Sequence, residues 1–140
     1  MGHFKAFDHT ADVGLSVTAD SLDDFFVTAA QGLGGLLCDS RITDVPVQDR
    51  KISLRAGCLE DLLIAWLNEL ISLFFAYQLL PVQYSLRVSA AMDNYSLDGI
   101  IKFSTVSRDA VKQEIKAATY CGLKVKKRLG RYSAKIVFDV

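Results

Sequence analysis

Cysteine, net charge and long apolar runs are all scarce in this 140-residue chain, and each scarcity removes a class of protein. The cysteines, Cys38, Cys58 and Cys121, are odd in number and far apart. They fit neither a disulfide framework nor a Cys-x-x-Cys zinc site, so reduced thiols in a cytoplasmic protein are the simplest reading. The 16 basic and 16 acidic residues cancel. No global field therefore draws the chain to nucleic acid or to an anionic membrane, and any contact with RNA must be local or indirect. The most apolar stretch, Leu62 to Tyr77, is broken by Asn68 and Glu69 and falls short of the roughly 20 apolar residues that a spanning helix needs. No transmembrane span and no membrane partner are expected. The opening Met1-Gly2-His3-Phe4-Lys5 lacks the apolar core of a signal peptide, and position 6 is not the Ser or Thr that myristoylation prefers.

What is present describes a folded domain. Apolar residues make up 51% of the chain and charged ones 23%, and a chain of this length buries enough surface to fold without disulfides or a structural metal. Residues 1–140 are read as a single domain. The slight apolar excess over an average domain hints at a covered or shared surface.

Short strands are expected at residues 4–7 and 13–17, where Val13, Leu15 and Val17 share one face. Ser21 is a good N-cap, Asp23 and Asp24 suit a first turn, and Leu22, Phe25, Phe26, Ala29, Ala30 and Leu33 keep helical spacing. A helix over 22–37 follows. Residues 39–49 read as a loop around Pro46, leading to a strand with Ile52, Leu54 and Ala56 inward. A second helix is expected over 59–78, apolar on more than one side and hence in need of cover. After Pro81 the period becomes two, with Val82, Tyr84, Leu86 and Val88 alternating with polar residues. Asp93-Asn94 marks a turn, and strands near 95–104, 114–126 and 131–138 complete a β-meander, the last two joined by Lys127-Arg128-Leu129-Gly130. Two principal helices among about seven strands, with no sustained strand-helix alternation, indicate α+β with a mainly antiparallel sheet.

Chemistry concentrates at the two ends. The run Asp8-His9-Thr10-Ala11-Asp12-Val13-Gly14 carries two carboxylates and an imidazole, and Phe138-Asp139-Val140 adds a third carboxylate beside a terminal one. If the fold joins these ends, the pocket is rich in anionic oxygens, which suits a hard divalent cation better than a proton-transfer dyad. Taken alone, Asp12 reads as a turn-capping residue and Asp139 as part of a solvated end. However, Tyr132, Ala134, Ile136 and Phe138 pin the last strand into the core, and parity puts Asp139 on the other face with Ser133, Lys135 and Val137. Gly32-Leu33-Gly34-Gly35 lacks the Lys-Ser/Thr of a phosphate-binding loop and reads as a helix terminus. Lys124, Lys126, Lys127, Arg128 and Arg131 read as a solvated hairpin, with RNA or protein docking as the alternative.

The opening run resembles the archease signature. Glu114-Ile115-Lys116-Ala117-Ala118-Thr119-Tyr120-Cys121-Gly122-Leu123-Lys124-Val125 is similar to that family's second motif, and Val137-Phe138-Asp139-Val140 to its third. Leu59-Glu60-Asp61-Leu62-Leu63 and Trp66-Leu67-Asn68-Glu69-Leu70 lie between them in the family's order. The resemblance implies a two-layer α+β fold and an accessory factor of RtcB-type RNA ligases, acting on tRNA or other RNA indirectly. It implies promotion of the metal-dependent guanylylation of the ligase's histidine by GTP, and so of multiple turnover in tRNA splicing or RNA repair. A divalent ion, of the Ca²⁺ or Mg²⁺ class with Mn²⁺ as an alternative, is implied at Asp12, Asp139 and the carboxylate of Val140. His9 is then a residue that orders the loop and orients a carboxylate, with direct ligation as the alternative. Asp8 is then expected to support the ligands or face a partner; Lys116 is expected to neutralise a pocket carboxylate or meet the ligase, with an exposed strand lysine as the alternative. Archeases often carry a histidine where this chain has Cys121 and another where it has Asp109; neither change removes an inferred ligand. Two other classes stand beside this one. They are a stand-alone metal-assisted hydrolase using Asp12, His9 and Asp139, and a chaperone-like or RNA-binding module.

Overall fold

The computed structural model describes residues 2–9, 12–39 and 45–140. Thr10 and Ala11 of the opening run, the side chain of His9, and residues 40–44 of the expected loop lie outside the described residues.

The first hairpin pairs β1 (His3–His9) with β2 (Asp12–Ala19). Alternation in β2 buries Leu15, Val17 and Ala19 against α1 (Leu22–Leu37), which starts and ends where helical spacing predicts. The Ser21 hydroxyl accepts the Asp24 N–H at 3.1 Å, satisfying one of the helix's unpaired donors. Asp23, expected only to favour the first turn, also accepts the Val88 N–H at 2.7 Å and ties the helix start to a distant strand.

The glycine cluster lies inside the last two turns of α1 and does not end it. Gly32 is where the helix crosses β2: a Cβ there would run into Leu15. The helix is closed instead by residues 112 and 113. Lys112 donates its backbone N–H to Leu37 O and its ammonium to Gly35 O, and the Gln113 amide donates to Leu36 O.

β3 (Gln48–Ala56) leads to α2 (Leu59–Tyr77), which ends one residue earlier than expected, at Gln78 in the left-handed region. Cys58 caps its start, the sulfur accepting the Asp61 N–H at 3.5 Å. Burial of Leu62, Leu63, Ile64, Trp66, Leu67, Leu70, Ile71, Leu73 and Phe74 confirms cover on more than one side. Phe75 and Tyr77 emerge at the C-terminal end, where Arg50 lies over the Tyr77 ring.

β4 (Leu79–Ala91) begins before Pro81, not after it. Pro81 is accommodated because β4 is an edge strand and its register shifts between Pro81 and Gln83. β5 (Asn94–Thr105) follows a turn at Met92-Asp93, one residue earlier than expected, with Met92 at positive φ. The single strand expected over 114–126 is replaced by two short ones, β6 (Ala117–Thr119) and β7 (Lys126–Arg128), both paired to β8 (Arg131–Asp139).

Every strand pair is antiparallel. One sheet runs β1-β2-β8-β6 with β7 also on β8, and the other runs β3-β5-β4. Both helices touch strands of both sheets, so one apolar core serves the whole α+β arrangement. Among the described residues no helix is long and apolar enough to cross a membrane.

Candidate functional site

The chain ends meet because β2 and β8 are neighbours. Their register pairs Val13 with Phe138 and Gly14 with Val137, so one step further along both strands stand Asp12 and Asp139. Asp139 is also paired with Ala117, and Asp12 with His9. A row of four positions, His9, Asp12, Asp139 and Ala117, thus crosses β1, β2, β8 and β6 at one end of the sheet.

Strand alternation decides which way this row points. Leu15, Val17, Ile136 and Phe138 are buried in the core, so Asp12 and Asp139 belong to the opposite, outer face. Asp12 is half-buried and Asp139 exposed. The next row inward on that face is apolar at Phe7, Gly14 and Val137 and ends at Thr119, whose hydroxyl donates to the Val137 carbonyl at 2.9 Å. Phe7 sits on Gly14 so closely that a Cβ at residue 14 would clash with its ring. Val137 is 5% exposed although it lies on the outer face. The carboxylate row therefore has a dry neighbour on its inner side.

Directly opposed antiparallel residues have Cβ atoms about 4.5–5.5 Å apart, and like charges placed there repel. A cation held between two such carboxylates removes that cost, and oxygen donors suit a hard divalent ion. Among the described residues no group of three His, Cys, Asp or Glu side chains lies close enough to hold a metal. The side-chain carboxylates of Asp12 and Asp139 are oxygen donors of that kind, and Val140, which directly follows Asp139, is exposed.

The remaining sequence candidates separate. Asp8 is paired with Val13, on the face opposite Asp12, and is exposed. Lys116 reaches the site through its backbone, its N–H donating to the Asp139 carbonyl at 2.8 Å. Asp109 belongs to a 3₁₀ turn (Arg108–Ala110) beside the end of α1, where Ala110 O accepts the Asp39 N–H. Cys121 is exposed just past β6, its N–H bonded to the Thr119 hydroxyl. All three cysteines are free, and burial raises the Cys38 thiol to about 11, which removes it as a thiolate nucleophile.

Sequence reading did not find what holds β6 in place. Asn68 of α2 accepts the Ala118 N–H at 2.8 Å, the Asp61 carboxylate accepts the Tyr120 hydroxyl at 2.9 Å, and Glu60 accepts the Val125 N–H at 2.7 Å. The hydrogen bond to Asp61 raises the Tyr120 phenol above its ordinary pKa. Three polar residues of one helix thus fasten residues 117–125 beside the site. The available signal was Asn68 interrupting an apolar helix. Asn68→Ala leaves the Ala118 N–H without its partner in a nearly dry position, at a cost of about 1–3 kcal/mol. Denaturant unfolding should show that loss, together with faster hydrogen exchange at Ala118; wild-type exchange there would contradict the clamp.

The family model described as "Archease protein family (MTH1598/TM1083)" matches residues 4–140. The protein archease of Methanopyrus kandleri is 27% identical over 139 residues, covering 98% of this chain and 99% of that one. The protein archease of Saccharolobus islandicus is 29% identical over 143 residues, with full coverage of both. The solution structure of Methanobacterium thermoautotrophicum protein 1598 superposes with a TM-score of 0.82 at 22% identity, covering 98% of each chain. The crystal structure of a Thermotoga maritima archease, described as a possible chaperone, gives 0.62 at 22% identity, covering 97% of this chain and 96% of that one. At such identities the two structures bear on the fold alone.

Proposed function

The chain belongs to the archease family, and we propose on that premise that it is an accessory factor that activates an RtcB-type RNA ligase. In this reading it promotes the GTP-dependent guanylylation of the ligase's histidine, and so multiple turnover, in cytoplasmic tRNA splicing or RNA repair. The observation that carries the proposal is the pairing of β2 with β8, which sets Asp12 and Asp139 in register next to the carboxylate of Val140.

Asp12, Asp139 and Val140 would hold a divalent ion of the Ca²⁺ or Mg²⁺ class. When bound, such an ion supplies positive charge for phosphoryl oxygens. The three anionic donors leave coordination positions open to a partner's groups. The row's place at the end of the outer face makes it accessible to another protein, and Asp139 and Val140 are both exposed. On its inner side, Phe7 and Val137 exclude water from between the strands. The backbone bond from Lys116 to Asp139 fixes the direction of the last residues.

The test is a guanylylation assay with the cognate ligase, radiolabelled GTP and a divalent ion, with and without this protein. Substoichiometric protein is expected to raise both the guanylylated fraction and the number of ligation cycles. An unchanged ligase overturns the proposal, and hydrolysis of phosphoesters by the protein without any ligase would replace it with an enzyme.

A further inference from the structure

We infer that the other end of the same outer face, between Lys124, Lys126 and Lys135, is a binding site for phosphate groups. Beyond the carboxylate and apolar rows come two more. Lys5, Ser16 and Lys135 form one, across β1, β2 and β8. His3, Thr18, Ser133 and Lys126 form the other, across β1, β2, β8 and β7. Hydroxyls occupy the middle of both rows; lysines stand at both edges of the first, and His3 and Lys126 at the edges of the second.

The interruption between β6 and β7 opens this face. β6 leaves β8 at Val137 and β7 rejoins it at Ser133, so residues 120–125 swing away from the strand between those points. A cavity of about 470 Å³ lies there, lined by Ser16, Thr18, Ser133, Lys124, Lys126 and Lys135 among others. The Glu60 bond to the Val125 N–H anchors the segment that brings Lys124 to it.

Alternation also splits the basic hairpin that the sequence presents as one cluster. Lys127 turns to the Tyr132 ring, 5.3 Å from its centroid, and Arg131 pairs with Asp20 at 3.2 Å. Lys124 and Lys126 line the cavity instead. Among the described residues no ion pair engages Lys5, Lys124, Lys126 or Lys135; Lys135 has only a ring contact with Phe7, at 5.9 Å. Three lysines and three hydroxyl residues lining one cavity, with no acidic residue in its wall, match the charge and hydrogen-bond demand of phosphate oxygens. No aromatic ring lines the cavity, so it would read phosphates and not bases.

Phosphate chemistry arrives either as the backbone of a nucleic acid strand or as the polyphosphate of a nucleotide, and two probes separate them. The intact chain is titrated in EDTA, which keeps a metal at Asp12 and Asp139 from contributing, against a labelled ten-nucleotide single-stranded RNA of mixed sequence. A parallel titration uses inorganic triphosphate. Binding of at least one probe is expected; RNA alone identifies a strand and triphosphate alone a nucleotide. Three backbone phosphates on three lysines give a salt slope of about −2 for a single strand, hence about 20-fold weaker RNA binding between 50 and 200 mM salt. Lys126→Gln with Lys135→Gln should weaken binding by about tenfold or more and flatten that slope by about 1–2. Lys51→Gln, on β3 of the other sheet, should leave binding unchanged. Failure of both probes, or an equal loss with Lys51→Gln, overturns the inference. Because EDTA removes the proposed metal, this result is independent of whether the protein activates a ligase.

Discussion

Asp12→Ala, Asp139→Ala and a two-glycine extension beyond Val140 are each expected to abolish stimulation of ligase guanylylation in a protein that remains folded. Changing a residue that merely supports a ligand typically lowers metal affinity about 10–100-fold, so loss of one of three anionic donors should cost at least that much. The stability signature differs from that of an ordinary surface mutation. Asp139 is exposed, so its removal should change the metal-free stability by no more than about 0.5 kcal/mol. Relief of its opposition to Asp12 should move that change toward stabilisation. With a divalent ion at about 100 times its dissociation constant, wild type should gain about 2.7 kcal/mol and the Asp139 variant almost nothing. Calorimetric titration and unfolding with and without the ion measure both. If all three variants stimulate the ligase fully, the carboxylate mechanism is wrong even though the fold is right.

The direction of these carboxylates was legible locally, but their meeting was not. Alternation around Ile136 and Phe138 is enough to send Asp139 outward, because a strand's side chains have a period of two. The partner of that strand is set by packing some 120 residues away in sequence, where Val13 must face Phe138 and Phe7 needs a glycine at 14 to lie flat. Composition and spacing carry no trace of that register; the likeness of the chain's two ends to one family's motifs supplied it. The same limit hid the lysine rows. Lys5, Lys126 and Lys135 are scattered in sequence and become one surface only when β1, β7 and β8 share a sheet.

Among the elements, legibility followed the strength of local signals. Ser21, two acidic first-turn residues and an unbroken apolar stripe fixed α1 at both ends. The expected strand over 114–126 failed because side-chain anchors from α2 hold residues 120–125 off the sheet, and propensity cannot register an anchor on another element. Pro81 misled for the opposite reason: proline is a poor strand residue in general and a harmless one on an edge with a shifted register.

Trp66→Ala should be the most destabilising single change in the core, lowering stability by about 3–5 kcal/mol. Trp66 is the largest fully buried side chain. It joins three elements: it stands on α2, its indole N–H donates to the Phe26 carbonyl of α1 at 2.9 Å, and its ring meets Tyr84 of β4 edge-on at 6.5 Å. Truncation leaves a cavity at that junction and removes the cross-helix hydrogen bond. Against a total of about 5–15 kcal/mol for a domain, the loss should lower the melting temperature by roughly 10–20 °C. Trp66→Phe keeps an aromatic ring but not the N–H. Because the Phe26 carbonyl lies within a helix and keeps its helical partner, that variant should cost only about 1–2 kcal/mol. Denaturant unfolding followed by circular dichroism measures both variants, and wild type has in its one tryptophan an independent probe of the same transition. A Trp66→Ala protein within about 1 kcal/mol of wild type would mean that α1, α2 and β4 do not depend on this contact. Equal losses for the two variants would instead place the main stabilisation in the hydrogen bond and not in the buried ring.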